Sequence, residues 1–277
     1  MNYRHAFHAG NFADVHKHVI LSALLDRLTA KPTPLLYLDT HAGRGLYDFK
    51  SIEAARGREW QTGVERLRAA HLKHPLLRRY RELIAAQLAA SRYPGSPLLA
   101  LQSLRPDDRA VLVEKQTEEA RILRTHLTRT RRVSVLAEDG YIALKAQLPP
   151  KEKRGLVLVD PPYEDAQEFQ QLERAMTLAV SRWPQAVLAV WYPIKAGATT
   201  ERWFHALQAA GLRKLLLCEL AIRPRDSAVG LNGSGVLILN PPYQLDAALK
   251  DAHAELLPLL AEAPHAGDQS VRWLVEE

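Results

Sequence analysis

Asp160-Pro161-Pro162-Tyr163 follows directly on the apolar run Leu156-Val157-Leu158-Val159. Adjacent prolines fix the backbone as it leaves a strand and aim a carbonyl oxygen in one direction. A carboxylate beside such a carbonyl suits the exocyclic amine of a purine. The lone pair of adenine N6 is delocalised into the ring, so the amine is a poor nucleophile. Hydrogen bonds from its two hydrogens to the Asp160 carboxylate and the Pro161 carbonyl favour the pyramidal form. The Tyr163 ring can stack on a base turned out of its helix or loop. Asp160 can also receive the released proton. The plain alternative is a strand-end turn with no chemistry.

A second cluster sits at the end of the first apolar run, Asp39-Thr40-His41-Ala42-Gly43-Arg44-Gly45. Glycines here let the backbone approach a ligand at the carboxyl edge of a sheet. The third glycine of the dinucleotide fingerprint, which makes room for a pyrophosphate, is missing. A phosphate-free adenosine cofactor, S-adenosylmethionine, fits this pattern better, and it would deliver its methyl in line to a positioned amine. Glu114 ends the next strand, where an acid can accept both ribose hydroxyls. It lies 71 positions beyond Gly43, against ~20 in a dinucleotide fold. Glu138-Asp139-Gly140 follows a third strand and offers an acid to the adenine amine. For each the bland reading is a turn or a surface acid.

These residues need a sheet to hold them. Short apolar runs alternate with helical patterns, the signature of a mostly parallel α/β sheet. Strands are expected at 35–39, 111–114, 133–136, 156–160, 186–191, 215–222 and 236–240, and helices at 15–28, 117–128, 141–147, 167–180, 200–210 and 245–260. The last two strands are joined by 223–235, which has loop composition and no room for a crossover helix, so they should be antiparallel. Seven strands with the seventh reversed resemble the Rossmann-like fold of class I methyltransferases. More than 70 residues separate the first two strands, where a crossover needs only a few dozen. We read 49–93 as a small helical insertion, 1–48 as the N-terminal helix and first strand, and 94–277 as the remainder of the domain. Asn240-Pro241-Pro242-Tyr243 imitates the first motif, but the reversed strand carries it to the opposite edge, so Asn240 is assigned to structure.

The chain has 277 residues and a net charge of +6. Nine Lys and Arg fall between Arg56 and Arg92 against three Glu, which makes the insertion either a polyanion contact or a solvated helical face. The single cysteine, Cys218, excludes a disulfide framework and suits the cytoplasm. No secretory signal or membrane span is expected. Four early histidines (His5, His8, His16, His18) lack the cysteine or carboxylate cluster that would complete a metal site. No exposed apolar helix stands out, so a monomer is expected.

Tyr3-Arg4-His5-Ala6-Phe7-His8-Ala9-Gly10-Asn11, with Ala13-Asp14-Val15 and Lys17-His18, continues into Leu36-Tyr37-Leu38-Asp39-Thr40-His41-Ala42-Gly43. Together with Tyr93-Pro94-Gly95-Ser96-Pro97, Asp160-Pro161-Pro162-Tyr163, Trp191-Tyr192-Pro193 and Asn240-Pro241-Pro242-Tyr243, it resembles the ribosomal RNA large-subunit methyltransferase J family over essentially the whole chain. The resemblance implies N6 methylation of adenine 2030 in 23S ribosomal RNA. It implies cofactor contacts at His18, His41, Ser96, Glu114, Asp139, Gly140 and Asp160, with Asp160 as acid-base and Tyr3 at the RNA. His16 stands at a position the resemblance does not require, and no role attaches to it. Other readings weighed are a DNA adenine methyltransferase, a non-catalytic RNA-binding protein on the same scaffold and, more remotely, a nicotinamide oxidoreductase.

Overall fold

The computed structural model describes residues 4–127, 132–197 and 200–276. Tyr3 lies outside them. In chain order the elements are α1 (Phe12–Thr29), β1 (Leu35–Asp39), β2 (Leu46–Asp48), α2 (Ile52–Gly57), α3 (Val64–Ala69), α4 (Pro75–Ala89), β3 (Arg92–Pro94), α5 (Ser96–Ser103), β4 (Arg109–Val113), α6 (Thr117–Thr125), β5 (Val133–Leu136), α7 (Gly140–Gln147), β6 (Arg154–Val159), α8 (Glu168–Arg182), β7 (Val187–Ile194), α9 (Thr200–Ala209), β8 (Leu215–Ala221), β9 (Gly233–Leu239), α10 (Leu245–Leu260) and β10 (Asp268–Val275).

The main sheet runs β10-β8-β9-β7-β6-β1-β4-β5. From β5 to β7 neighbours are parallel, and β9 is antiparallel to both β7 and β8. The expected reversed strand is therefore present, wedged between its two neighbours. The expected total of seven needs correction, because β10 adds an eighth strand antiparallel to β8. Its alternation of polar and apolar residues is weak and it pairs on one side only, which is why a search for apolar runs passes over it. A separate pair, β2 with β3, and the helix α5 were also not anticipated.

Central strands carry side chains to both faces, as buried parallel strands do. Leu35, Tyr37, Leu156 and Leu158 join one core with α1, α4, α5 and α10. Leu36, Leu38, Val157 and Val159 join the other with α7, α8 and α9. The reversal at β9 sends Asn240 to the edge opposite Asp160. There its Nδ2 donates to the carbonyls of Pro184 and Ala186 at 2.8 and 2.9 Å, tying down the entry to β7.

Helix α1 is buried nearly all round, which a surface helix with one apolar stripe would not be. It also buries His16, whose ring lies 4.8 Å from that of His253 on α10. Burial pushes the His253 ring down to about 4, and burial together with the neighbouring ring depresses His16. A base that resists protonation when native contributes stability above its ordinary pKa and loses it as pH falls. Going from pH 7 to pH 5, His253 alone should cost roughly 2 kcal/mol of folding stability. Urea unfolding at the two pH values checks this, and His253→Leu should flatten the difference. Equal slopes in both proteins would refute it.

Candidate active site

The loop after β1 is anchored on both sides: Thr40 N donates to Leu158 O at 3.0 Å and Ala42 N to Val113 O at 2.8 Å. This places His41 and Gly43 at the carboxyl edge, over a cleft of about 1080 Å³. Single small-ligand pockets span about 300–1,000 Å³, so the cleft has room for a cofactor and part of a second molecule. His18, His41, Gly43, Ser96, Glu114, Asp139, Gly140, Asp160, Pro161 and Tyr163 all line it. Every described residue singled out for the site is thus brought to one cleft.

Their immediate partners differ. Gly43 sits at φ 61°, and its N–H donates to Glu114 Oε2 at 2.9 Å. Glu114 Oε1 accepts from Gln116 N at 2.7 Å. Each carboxylate oxygen keeps a lone pair, and burial raises this acid above its usual range. At Gly140 an added Cβ would stand 2.3 Å from Thr40 O, so β1's loop and α7 meet too closely for a side chain. Asp139 has two tasks. Oδ1 caps α7 by accepting from Tyr141 N and Ile142 N, and Oδ2 pairs with Lys115 Nζ at 3.1 Å. Burial opposes the charge of Asp139, but Lys115 and the cap hold its carboxyl low.

Ser96 donates at 2.7 Å to Asp39 Oδ2, which also accepts from Tyr37 OH. Burial pushes the Asp39 carboxyl up to about 6 against these hydrogen bonds, and the Asp160 charge adds to the rise. His18 Nδ1 is 2.7 Å from Tyr93 OH, and burial pushes its ring down to about 3. His41 is likewise pushed down by burial, to about 4. Both rings are neutral at pH 7.

Asp160 stands just beyond β6. Its Oδ2 accepts from Lys17 Nζ at 2.5 Å, and Lys17 also donates to Asp14 Oδ1 at 2.9 Å. Burial disfavours the ammonium, but the two carboxylates outweigh it and raise the Lys17 pKa. Burial opposes the charge of Asp14, but His5 and then Lys17 hold its carboxyl well below the usual carboxylate range. His5 Nε2 lies 2.9 Å from Asp14 Oδ2. Tyr163 takes φ 54°, and its hydroxyl donates to Trp191 O at 2.6 Å.

The sequence reading assigns no role to Lys17, Asp14 or Asp39. The one signal available is Asp14 and Lys17, three positions apart just before the apolar run Val19-Ile20-Leu21, where buried charges survive only if paired.

A family model described as Ribosomal RNA large subunit methyltransferase D, RlmJ, matches residues 32–275. The chain belongs to the RlmJ family. Two relatives named Ribosomal RNA large subunit methyltransferase J, from Haemophilus influenzae and Escherichia coli K12, are each 37% identical over 284 and 286 aligned residues, covering all of both chains. A crystal structure of a Legionella pneumophila protein superposes with a TM-score of 0.88 at 35% identity, covering 96% of this chain and 98% of that one. The RlmJ match begins at residue 32, after α1, yet α1 supplies Lys17 to the cleft.

The basic segment of this RlmJ-family chain is less available than its count suggests. Arg66 reaches the carbonyls of Leu259, Leu260 and Ala261 at the end of α10. Arg68 pairs with Glu65, Arg79 with Asp26, and Arg81 donates to Ala70 O. Arg56, Lys73, Arg78 and Arg92 are exposed.

Proposed function

We propose that this protein transfers a methyl group from S-adenosylmethionine to N6 of an adenine in 23S ribosomal RNA, the family resemblance pointing to adenine 2030. The observation that carries the reading is Asp160, at the edge of the cleft, gripped by a buried lysine through one oxygen only. Oδ2 is taken by Lys17. Oδ1 has no hydrogen-bond partner among the described residues and is left to accept one N6 hydrogen, with the Pro161 carbonyl for the other.

The cleft suits the cofactor. Gly140 lets α7 pack against the loop after β1, which seats His41 over the cleft, and Glu114 offers two oxygens with spare lone pairs at the end of β4. When bound, S-adenosylmethionine supplies an electrophilic methyl on a sulfonium. The protein's own work is to grip and aim the amine. Lys17 fixes the carboxylate rotamer, Asp160 draws on the amine hydrogens, and Asp160 takes up the proton that leaves nitrogen. Tyr163 and, beyond the described residues, Tyr3 contact the flipped base in this reading. Arg56, Lys73, Arg78 and Arg92 present exposed cations to phosphates.

Incubation with labelled S-adenosylmethionine and unmethylated 23S RNA should place label in N6-methyladenosine on nucleoside analysis. Duplex DNA should not compete. Folded protein giving no labelled adenosine would sink the reading.

A further inference from the structure

His16 is a buried ring in α1 for which the methyl-transfer chemistry has no use. Its Nδ1 lies 2.8 Å from Ser234 Oγ on β9. The indole Nε1 of Trp191, on β7, lies 2.9 Å from the same oxygen. An indole N–H can only donate, so Ser234 accepts there and has one hydrogen of its own to place. His16 Nδ1 is the acceptor beside it. That requires the neutral ring, with its proton on Nε2. Nε2 faces an interior where it has no partner, and both ring nitrogens of the adjacent His253 are likewise unpartnered. Burial disfavours charging either ring, so the hydroxyl is held pointing one way.

The clamped indole is the wall behind the reacting motif. Tyr163 packs on it edge to face, with centroids 5.6 Å apart at 70°. The Lys17 ammonium stands 6.0 Å from its centroid. The carbonyl of the same residue accepts the Tyr163 hydroxyl. Trp191 therefore touches both the tyrosine that closes the motif and the lysine that holds the Asp160 carboxylate.

We propose that His16 and Ser234 are positioning residues for methyl transfer, locking the Trp191 indole so that Tyr163 and Lys17 are held in register against the target base. This rests on the methyl-transfer reading above and adds to it residues remote from the reacting atoms. Their effect should fall on turnover and not on cofactor affinity.

The test uses the full chain. It measures single-turnover methyl transfer to 23S RNA, S-adenosylmethionine affinity by calorimetry, melting temperature, and the indole N–H resonance of Trp191, assigned by its loss in Trp191→Phe. Ser234→Ala and His16→Leu should each lower turnover about tenfold, the worth of one hydrogen bond. They should shift the Trp191 resonance and leave cofactor affinity within about twofold of wild type. His16→Asn, whose amide oxygen can take the Ser234 proton, should recover most of the turnover.

Wild-type turnover in folded Ser234→Ala and His16→Leu would overturn the proposal and leave the methyl-transfer reading standing. So would a His16→Asn as slow as His16→Leu with the same fall in melting temperature, since that marks a packing role only. Wild-type protein that transfers no methyl would defeat both.

Discussion

Asp160→Asn should lower methyl transfer to 23S RNA by a factor of about 10²–10⁴, the range expected when a positioned proton acceptor is removed. The amide keeps the volume of the carboxylate and one acceptor oxygen but cannot take up a proton. Its NH₂ group would also have to face either Lys17 Nζ or the amine, both donors. Lys17 keeps Asp14 and can still donate to the amide oxygen, so the loss should be much larger in chemistry than in stability. Single-turnover kinetics with a melting curve on the same preparation checks this. A variant within tenfold of wild type would remove Asp160 from its role, and with it the distinction from an RNA-binding protein on a methyltransferase scaffold.

Lys17→Met should have the largest effect on stability. The ammonium joins two carboxylates, Asp14 and Asp160, and both Lys17 and Asp14 are buried. Removing one partner of a buried pair leaves an uncompensated charge and costs about 3–5 kcal/mol. The deficit should grow as pH rises, because the carboxylates left behind must ionise without their cation. Adding Asp14→Asn to Lys17→Met should recover part of the stability and none of the turnover, which separates the two tasks of one side chain. Guanidinium unfolding at pH 5 and pH 8 reads the first effect and methyl transfer the second. A single variant as stable as wild type at both pH values would show that the ion network is not what holds α1 to β6.

Asp160 and its prolines were legible because they are contiguous and directly follow an apolar strand. Gly43 and Glu114 were legible as strand-end residues, although only folding reveals that they are hydrogen-bonded across 71 positions. Lys17 was not, since its partner is 143 residues away and nothing local marks its helix as buried nearly all round. Ser96 became a site residue through resemblance alone. Pro97, in the first turn of α5, was a usable helix-start signal that the Tyr-Pro-Gly-Ser-Pro motif obscured. Strand β10 is not legible because none of its residues is fully buried, so it carries no apolar run or strict alternation.

The β2–β3 ladder joins Leu46 to Pro94 and Asp48 to Arg92, and Phe49 N donates to Ser91 O just beyond. The chain therefore departs for its helical excursion and comes home through adjoining backbone. Beyond that neck the excursion is not loose, because α3 and α4 pack against α10, α4 also against α1, and Arg66 holds the carbonyls that end α10. A change of length within 49–91 would therefore be felt at α1, the helix that carries Lys17 into the cleft.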